Sequence, residues 1–594
     1  MKTMENKNFV GSFSLVLHAH LPWVLNYGVW PHGTNWVHEA AAETYIPLLM
    51  ELNKLIDEGF TPKITIDITP VLCEMLAADV FKSGFIGYCK AKAAGALSDL
   101  EEFENRKDLG DTERANYIRM AKFWDEFYSR TVEYFEEINQ DIMGEFRKLL
   151  KGGYLDITTC AATHGYAPLL SRESSINGQF KTAVNNYKKH FQQAPHGTWL
   201  AECAYRPGYN WKKPIGEDKP HYRPGVEKFL SKNNLKYFFI DTALLMGGTS
   251  QGVYAARFPL LQSLHEQMVK EYKHVDSDFP RSPLESYLLP NHDAKNPVSI
   301  FTRDENTGLL VWSGEHGYPA TGGAYLDFHK KHYKDSMGGG SGLRYWKITS
   351  PKADMGAKMQ YYMPDINDLL DQNAGHFKEA VKGVLKEYKD KSGKPGFLIA
   401  PYDAELFGHW WFEGVWFINR LIRFFATDSE VEMTHCHDYL DKNGMPDKQV
   451  SITEGSWGEG SSHYIWLNKE NTWSWEKIYE VEDFVEELVT KYHQKEDPGL
   501  QRMLKQLCRE NLLLQASDWQ FLISTWSARD YAEQRLDAHY THCKRLENMI
   551  ERYATGEKPE IDEKEWEFLG LLEGNDSLFE EIDITAWVTD DWKE

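Results

Sequence analysis

The chain has 594 residues, 42% of them hydrophobic and 26% charged. It can bury a sizeable core, in roughly two to four domains or one large barrel with insertions, and global disorder is excluded. Eighty-nine acids against 66 bases give a net charge of −23, a surface that repels phosphate backbones and argues against nucleic acid as a partner. The start, "MKTMENKNFVGSF", is polar, and no run of roughly 18 apolar residues follows, so neither a secretory signal nor a membrane span is expected. Seven widely spread cysteines form no C-x-x-C pair and suit free thiols in a cytoplasmic, reducing compartment.

"FSLVLHAH" (13–20) alternates as a strand and ends on His18 and His20, which at i and i+2 project to one face. Three readings stand for the pair. One is a metal site, with Asp67 and Asp241 as further ligands. Another is two imidazoles hydrogen-bonding a substrate hydroxyl, and the blandest is a pair of core histidines. "ITIDITP" (64–70) places Ile64, Ile66 and Ile68 on one face of a second strand. Residues 85–150 read as a helical insertion, because Phe123, Phe127, Tyr134, Ile138, Ile142, Phe146 and Leu149 recur at near-helical spacing.

"YLDITT" (154–159), "GTWLAECAY" (197–205), "KYFFIDT" (236–242), "LLVWSG" (309–314) and "GFLIAPYD" (396–403) read as further strands, with helical patterns between many of them. Strands alternating with helices predict a parallel α/β sheet or barrel, whose reactive residues sit at the C-terminal strand ends. His18, His20, Asp156, Glu202, Asp241 and Asp403 fall at such ends. Residues 245–300 read as a long irregular excursion. After about residue 440 the pattern turns to amphipathic helices, dividing the chain into a catalytic part, 1–440, and a helical C-terminal domain, 441–594.

The aromatic content is high, with 20 Trp and 31 Tyr. Flat rings beyond core needs suit the faces of sugars. Glu202 sits in an apolar strand, where an unpaired carboxylate is costly to bury; Arg206 is the nearby partner if its role is structural. "PYDAELFGHWWFEG" (401–414) crowds Asp403, Glu405 and Glu413 against five large rings. Two carboxylates from different strands are what glycosidic cleavage needs, one to attack and one to protonate the leaving oxygen. "SWGEGSSHYIWLNKENTWSW" (456–475) reads as a sugar-stacking loop, and Asp518 either serves the site or caps the helix that follows it.

Taken in order, "HAHLPW", "GYLDITTCAATHGYAPLL", "GTWLAECAY", "PYDAELFGHWWFEG" and "ASDWQFLIST" resemble the five signature regions of glycoside hydrolase family 57. Within the family the pattern is most similar to the 1,4-α-glucan branching enzymes. The resemblance implies an α/β fold, an incomplete (β/α)7 TIM-like barrel with a helical insertion and a mostly α-helical C-terminal domain. It implies Glu202 as nucleophile, Asp403 as general acid/base, no metal or other cofactor, and α-glucan as the partner. It further implies that His18, His20, Trp36, His164, Arg303, Trp312, Trp457, Trp466, Asp518 and Trp519 line the glucan groove. One departure stands out: where branching members carry a "YGVYAP"-like loop, this chain reads "SQGVYAARFP" (250–259), with Gln251 at the first tyrosine and Tyr254 retained. If the missing tyrosine is the functional one, branching is poor and the chain is an α-amylase or 4-α-glucanotransferase of the same family, with mainly hydrolytic or α-1,4-transfer activity.

Overall fold

The computed structural model describes residues 8–247, 258–272, 279–290, 295–321, 324–327, 342–348, 359–556 and 561–588. Among the described residues seven parallel strands ring the first part of the chain: β1 (Gly11–Ala19), β2 (Ile64–Ile68), β3 (Leu155–Thr158), β4 (Gly197–Thr198), β5 (Tyr237–Ile240), β6 (Ser299–Thr302) and β7 (Gly396–Asp403), and a further short strand, Val431–Met433, pairs in parallel with the start of β1. One sheet runs β7-β1-β2-β3 and another β4-β5-β6. Single parallel bridges, Thr159 to Thr198 and Arg303 to Ile399, join them into a ring. The β6–β7 seam is the thin one, since a short antiparallel strand, Tyr287–Leu288, takes the first half of the β6 edge. The architecture is therefore a (β/α)7 barrel with an imperfect seam, as the resemblance implies.

All nine residues of β1 are buried, as expected of a parallel strand covered on both faces. Each fully buried Leu or Phe there contributes roughly 1.5–3 kcal/mol. The register pairs His18 with Asp403 on one side and with Asp67 on the other. Three barrel strands thus end at one level, and their last side chains meet at the C-terminal mouth.

Sequence periodicity misplaced two features and found a third helical, as expected. "LLVWSG" is not a strand but part of the helix Glu305–Trp312; Asp304 accepts from the Thr307 N–H and hydroxyl, both at 2.8 Å, and starts it. The barrel strand is the short "SIFT" just before. "GTWLAECAY" keeps only two strand residues before the chain turns at Glu202. The run 123–149 is two helices, broken at 138–141, where Asn139 and Gln140 take positive φ.

Two 27-residue helices, Asp79–Asn105 and Asp111–Glu137, pack on each other beside the barrel. Trp124 from the second donates to the Arg344 carbonyl at 2.9 Å. The helices Thr472–Tyr492, Pro498–Leu514 and Arg529–Thr555 pack together at the C-terminal end. They are tied to the barrel: Arg535 donates to the Trp23 carbonyl, and its guanidinium lies 3.5 Å from the Tyr27 ring centre. Trp587 packs so closely on the barrel helix Glu173–Phe191 that a Cβ at Gly178 would lie 2.4 Å from its ring. Among the described residues, no helix is long and apolar enough to cross a membrane.

Candidate active site

At the barrel mouth lies a cleft of about 460 Å³, lined by His18, His20, Trp36, His164, Glu202, Arg303, Trp312, Asp403, Trp457, Trp466 and Asp518 among others. Residues spread over five hundred positions of sequence converge there. Two of the expected set are not among them. Trp519 is fully buried; its Nε1 donates to the Leu513 carbonyl and its face meets Arg535. It supports the helix that carries Asp518 rather than the groove, because the helical turn points the two neighbouring side chains in different directions. Tyr254, with Gln251, lies outside the described residues.

Glu202 sits in a left-handed turn, φ 59°, followed by Cys203 at φ 48°. Two successive non-glycine residues in this region cost of order 1–3 kcal/mol each. Trp457 holds the turn from both sides: its backbone N–H donates to the Glu202 carbonyl at 3.0 Å, and its Nε1 donates to Glu202 Oε2 at 2.6 Å. Arg206 is not the partner; it donates to the Pro207 carbonyl and lies over the Trp211 ring. Burial pushes the Glu202 carboxyl up to about 7, with the Trp457 hydrogen bond and His20 opposing and Asp518 adding to the rise.

Asp403 closes strand β7. Burial, then the negative charges of Glu405 and Glu202, hold its carboxyl well above the ordinary range, and Arg303 only partly opposes them. The strand ends here, so Glu405 does not continue it but opens a short 3-10 turn. Its carboxylate accepts from the His20 backbone N–H at 3.0 Å and from the Tyr45 hydroxyl, fixing the ends of β7 and β1 together. Glu405, His409, Trp410 and Phe521 also line the cleft. Except for Glu405, sequence reasoning did not single these out; for His409 and Trp410 the density of rings in "FGHWWFEG" was the available signal, whereas Phe521 lies in "ASDWQFLIST". Glu413, by contrast, is fully buried and accepts from the Leu326 N–H.

The histidines form one network. His18 Nδ1 donates to Asp67 at 2.7 Å, and Thr158 donates to the other Asp67 oxygen. The His18 Nε2 is then an acceptor for His164 Nε2–H at 3.1 Å, and His164 Nδ1 accepts from Ser517. His20 donates to Thr69 and to Asp518, each at 3.0 Å. Burial alone would lower its pKa, but Asp518, Glu405 and Glu202 carry it above the ordinary value, whereas burial with both neighbouring imidazoles drives His164 well below. The metal set suggested by sequence is not assembled, since Asp241 is paired with Arg303 at 2.6 Å. His20, His164 and Asp518 do offer three ligand atoms within 4.8 Å of one another, and their side chains are engaged in the hydrogen bonds just described. Asp156 is not at the mouth either; it accepts from Tyr237 inside the barrel wall.

Around the carboxylates stand rings. Trp199 stacks on His18, their centroids 4.7 Å apart, and lies edge-on to Trp457 at 5.1 Å. Trp312 is 41% exposed and 5.9 Å from Trp457. Trp466 stacks on Tyr166 at 4.7 Å. Trp473 and Trp475, read with them as one loop, instead begin the helix Thr472–Tyr492. A buried acid whose carboxyl is raised well above the ordinary range, a second carboxylate clamped in the same cleft and flat apolar walls fit acid-assisted substitution at a sugar.

A family profile described as glycosyl hydrolase family 57 matches residues 14–452, and one described as the C-terminal part of 1,4-α-glucan branching enzyme matches residues 477–587. A 1,4-α-glucan branching enzyme of Thermococcus kodakarensis is 36% identical over 98% of this chain and 79% of its own. The crystal structure of a GH57-type branching enzyme from Pyrococcus horikoshii superposes with a TM-score of 0.85 at 35% identity, covering 99% of this chain and 98% of that one. The α-amylase AmyC of Thermotoga maritima superposes at 0.78 with 27% identity, covering 98% and 99%.

Proposed function

Since the chain belongs to glycosyl hydrolase family 57, we propose that it is a 1,4-α-glucan branching enzyme acting in glycogen- or starch-type metabolism. It cleaves an α-1,4 link and transfers the freed chain to a 6-hydroxyl of another glucan. The observation that carries this reading is the pair at the mouth: Asp403, its carboxyl raised by burial and neighbouring acids, and Glu202 fixed by Trp457, in one ring-walled cleft. The match of residues 477–587 to a branching-enzyme profile supports transfer over hydrolysis.

In the proposed cycle, a Glu202 oxygen attacks the anomeric carbon as the bond to O4 breaks, and Asp403 gives its proton to O4. Esterifying Glu202 removes one of the negative charges that raise Asp403, so the latter becomes a base. It then takes the proton of an incoming 6-hydroxyl, whose oxygen displaces Glu202 with net retention. His18, His20 and Asp518 hold the sugar hydroxyls, Trp36, Trp312 and Trp457 stack on the chain, and Trp466, buried on Tyr166, backs the groove wall. Seven buried free thiols suit a reducing cytoplasm.

Gln251 favours a second reading, an α-amylase in which water replaces the 6-hydroxyl. Incubation with amylose, followed by debranching-enzyme digestion and a reducing-end count, separates the two. Branching gives α-1,6 links with few new reducing ends; reducing ends without branches would overturn the proposal.

The same site sets a pH profile. Glu202 must be ionised, so kcat/KM rises with pH through about 7; Asp403 must be protonated, so it falls again above the raised pKa of that residue. Glu405→Gln removes the largest neighbouring negative charge on Asp403. The alkaline limb moves to lower pH while the acid limb stays near its place, measurable from initial rates on amylose.

A further inference from the structure

Past the Glu202 turn the chain makes a short antiparallel hairpin, Tyr209–Trp211 against His221–Arg223. Two guanidinium groups are buried beside it. Arg206, Arg223 and Trp211 are each 0% exposed, and the two guanidinium groups lie 5.8 and 4.7 Å from the Trp211 ring centre. An arginine is almost never fully buried unless it is paired. Arg223 is paired: its Nε donates to Glu173 and its Nη1 to the Leu170 carbonyl, both at 2.7 Å. Arg206 is not. Its Nη1 donates to the Pro207 carbonyl at a long 3.3 Å, and no carboxylate of the described residues forms an ion pair with it. A buried charge left without a partner is among the costliest groups a fold can carry.

Four nitrogen donors beside this ring lack an acceptor: Arg206 Nε and Nη2, Arg223 Nη2 and Trp211 Nε1. The neighbouring acids are engaged elsewhere. Glu454 accepts from Tyr209 at 2.6 Å and pairs with His463 at 2.9 Å, and Glu227 accepts from Tyr205 at 2.7 Å. Burial, then the charge of Arg223, press Arg206 below its ordinary pKa, and Tyr209, Glu454 and Glu173 only partly oppose them. All four orphan atoms are donors, so the group that satisfies them accepts hydrogen bonds and brings no proton of its own, as a water would. The acids close by would repel the second charge of a dianion. Donors carried on three separate side chains suit a compact acceptor without directional lone pairs. We propose that Arg206 and Arg223 hold one monovalent, halide-sized anion beside Trp211. The site is separate from the cleft, since none of the three residues lines it. It steadies the segment that joins the Glu202 turn to the loop of Trp457, because Tyr205 and Gly455 exchange backbone hydrogen bonds at 2.8 and 3.0 Å.

The test uses the full chain and two probes, chloride and bromide. Chloride replaces gluconate, an anion too large for the site, at constant ionic strength. The unfolding temperature rises by about 1 °C for each tenfold of chloride above the dissociation constant, the shift expected for one bound ligand on a chain of this length. In crystals soaked in bromide, an anomalous peak lies against Arg206 and Arg223. Arg206→Met removes both the peak and the chloride dependence. Should that variant not fold, the titration and the bromide map of the unaltered protein decide. An unfolding temperature indifferent to chloride overturns the anion site, and so does a peak there without anomalous signal, which is a water.

Discussion

Glu202→Gln abolishes transfer: the initial rate on amylose falls by about 10⁴-fold or more, at least ~5.5 kcal/mol of lost transition-state stabilisation. The substitution is isosteric, and its amide oxygen still accepts from Trp457 Nε1, which lies 2.6 Å from Glu202 Oε2. The left-handed turn is therefore kept. Burial raises the Glu202 carboxyl, so its ionised form is held against a desolvation cost that the neutral amide does not carry. The variant unfolds at the same temperature as the parent or higher, which separates lost chemistry from lost structure. With Glu202→Gly, added azide enters the vacated space, attacks the anomeric carbon from that face and yields the β-glucosyl azide. An α-azide, or a fully active Glu202→Gln, would remove Glu202 from the nucleophile's role.

The second large effect is at Asp403. Asp403→Asn keeps the shape but has no proton to give, so the rate on amylose falls by about 10²–10⁴-fold. The loss is far smaller on an α-glucosyl fluoride, whose leaving group departs unprotonated. The alkaline limb of the pH profile disappears, since no acid remains to titrate there. For Asp403→Gly, azide intercepts the β-linked glycosyl-enzyme and gives the α-glucosyl azide, the opposite anomer to the Glu202 variant. Equal losses on amylose and on the fluoride would show that Asp403 does not protonate the leaving group.

Much of this arrangement was legible in the sequence. Alternation marked β1, β2 and β7, and residues at the C-terminal ends of barrel strands face the mouth by construction, so His18, His20 and Asp403 could be placed early. Glu202 was harder. It was read as the end of a strand, but the strand stops at Thr198 and a left-handed turn aims the side chain instead. Parity brought Glu202 to the mouth for the wrong reason, because such a turn has no period. The strand Ser299–Thr302 was missed because four residues leave too little alternation to register, and the apolar run after it was helical once Asp304 capped it. Trp519 shows the limit of motif reading: adjacency to Asp518 in sequence does not place two side chains on one face of a helix. His409, Trp410 and Phe521 reach the cleft only through tertiary packing that periodicity does not report.

The clamp on Glu202 bears on how such a catalyst can be built or altered. The two carboxylates lie within the first 403 residues, but the side chain that steadies one of them is Trp457, and the partners of His20 and His164 are Asp518 and Ser517. The two proposed reacting groups and the side chains that hold the site are thus encoded in opposite portions of the polypeptide. Grafting the helical portion of a relative onto this barrel transplants half of an active site along with it. The two portions are interchangeable between homologues only where the turn at 202 and the loop at 457 have changed in step.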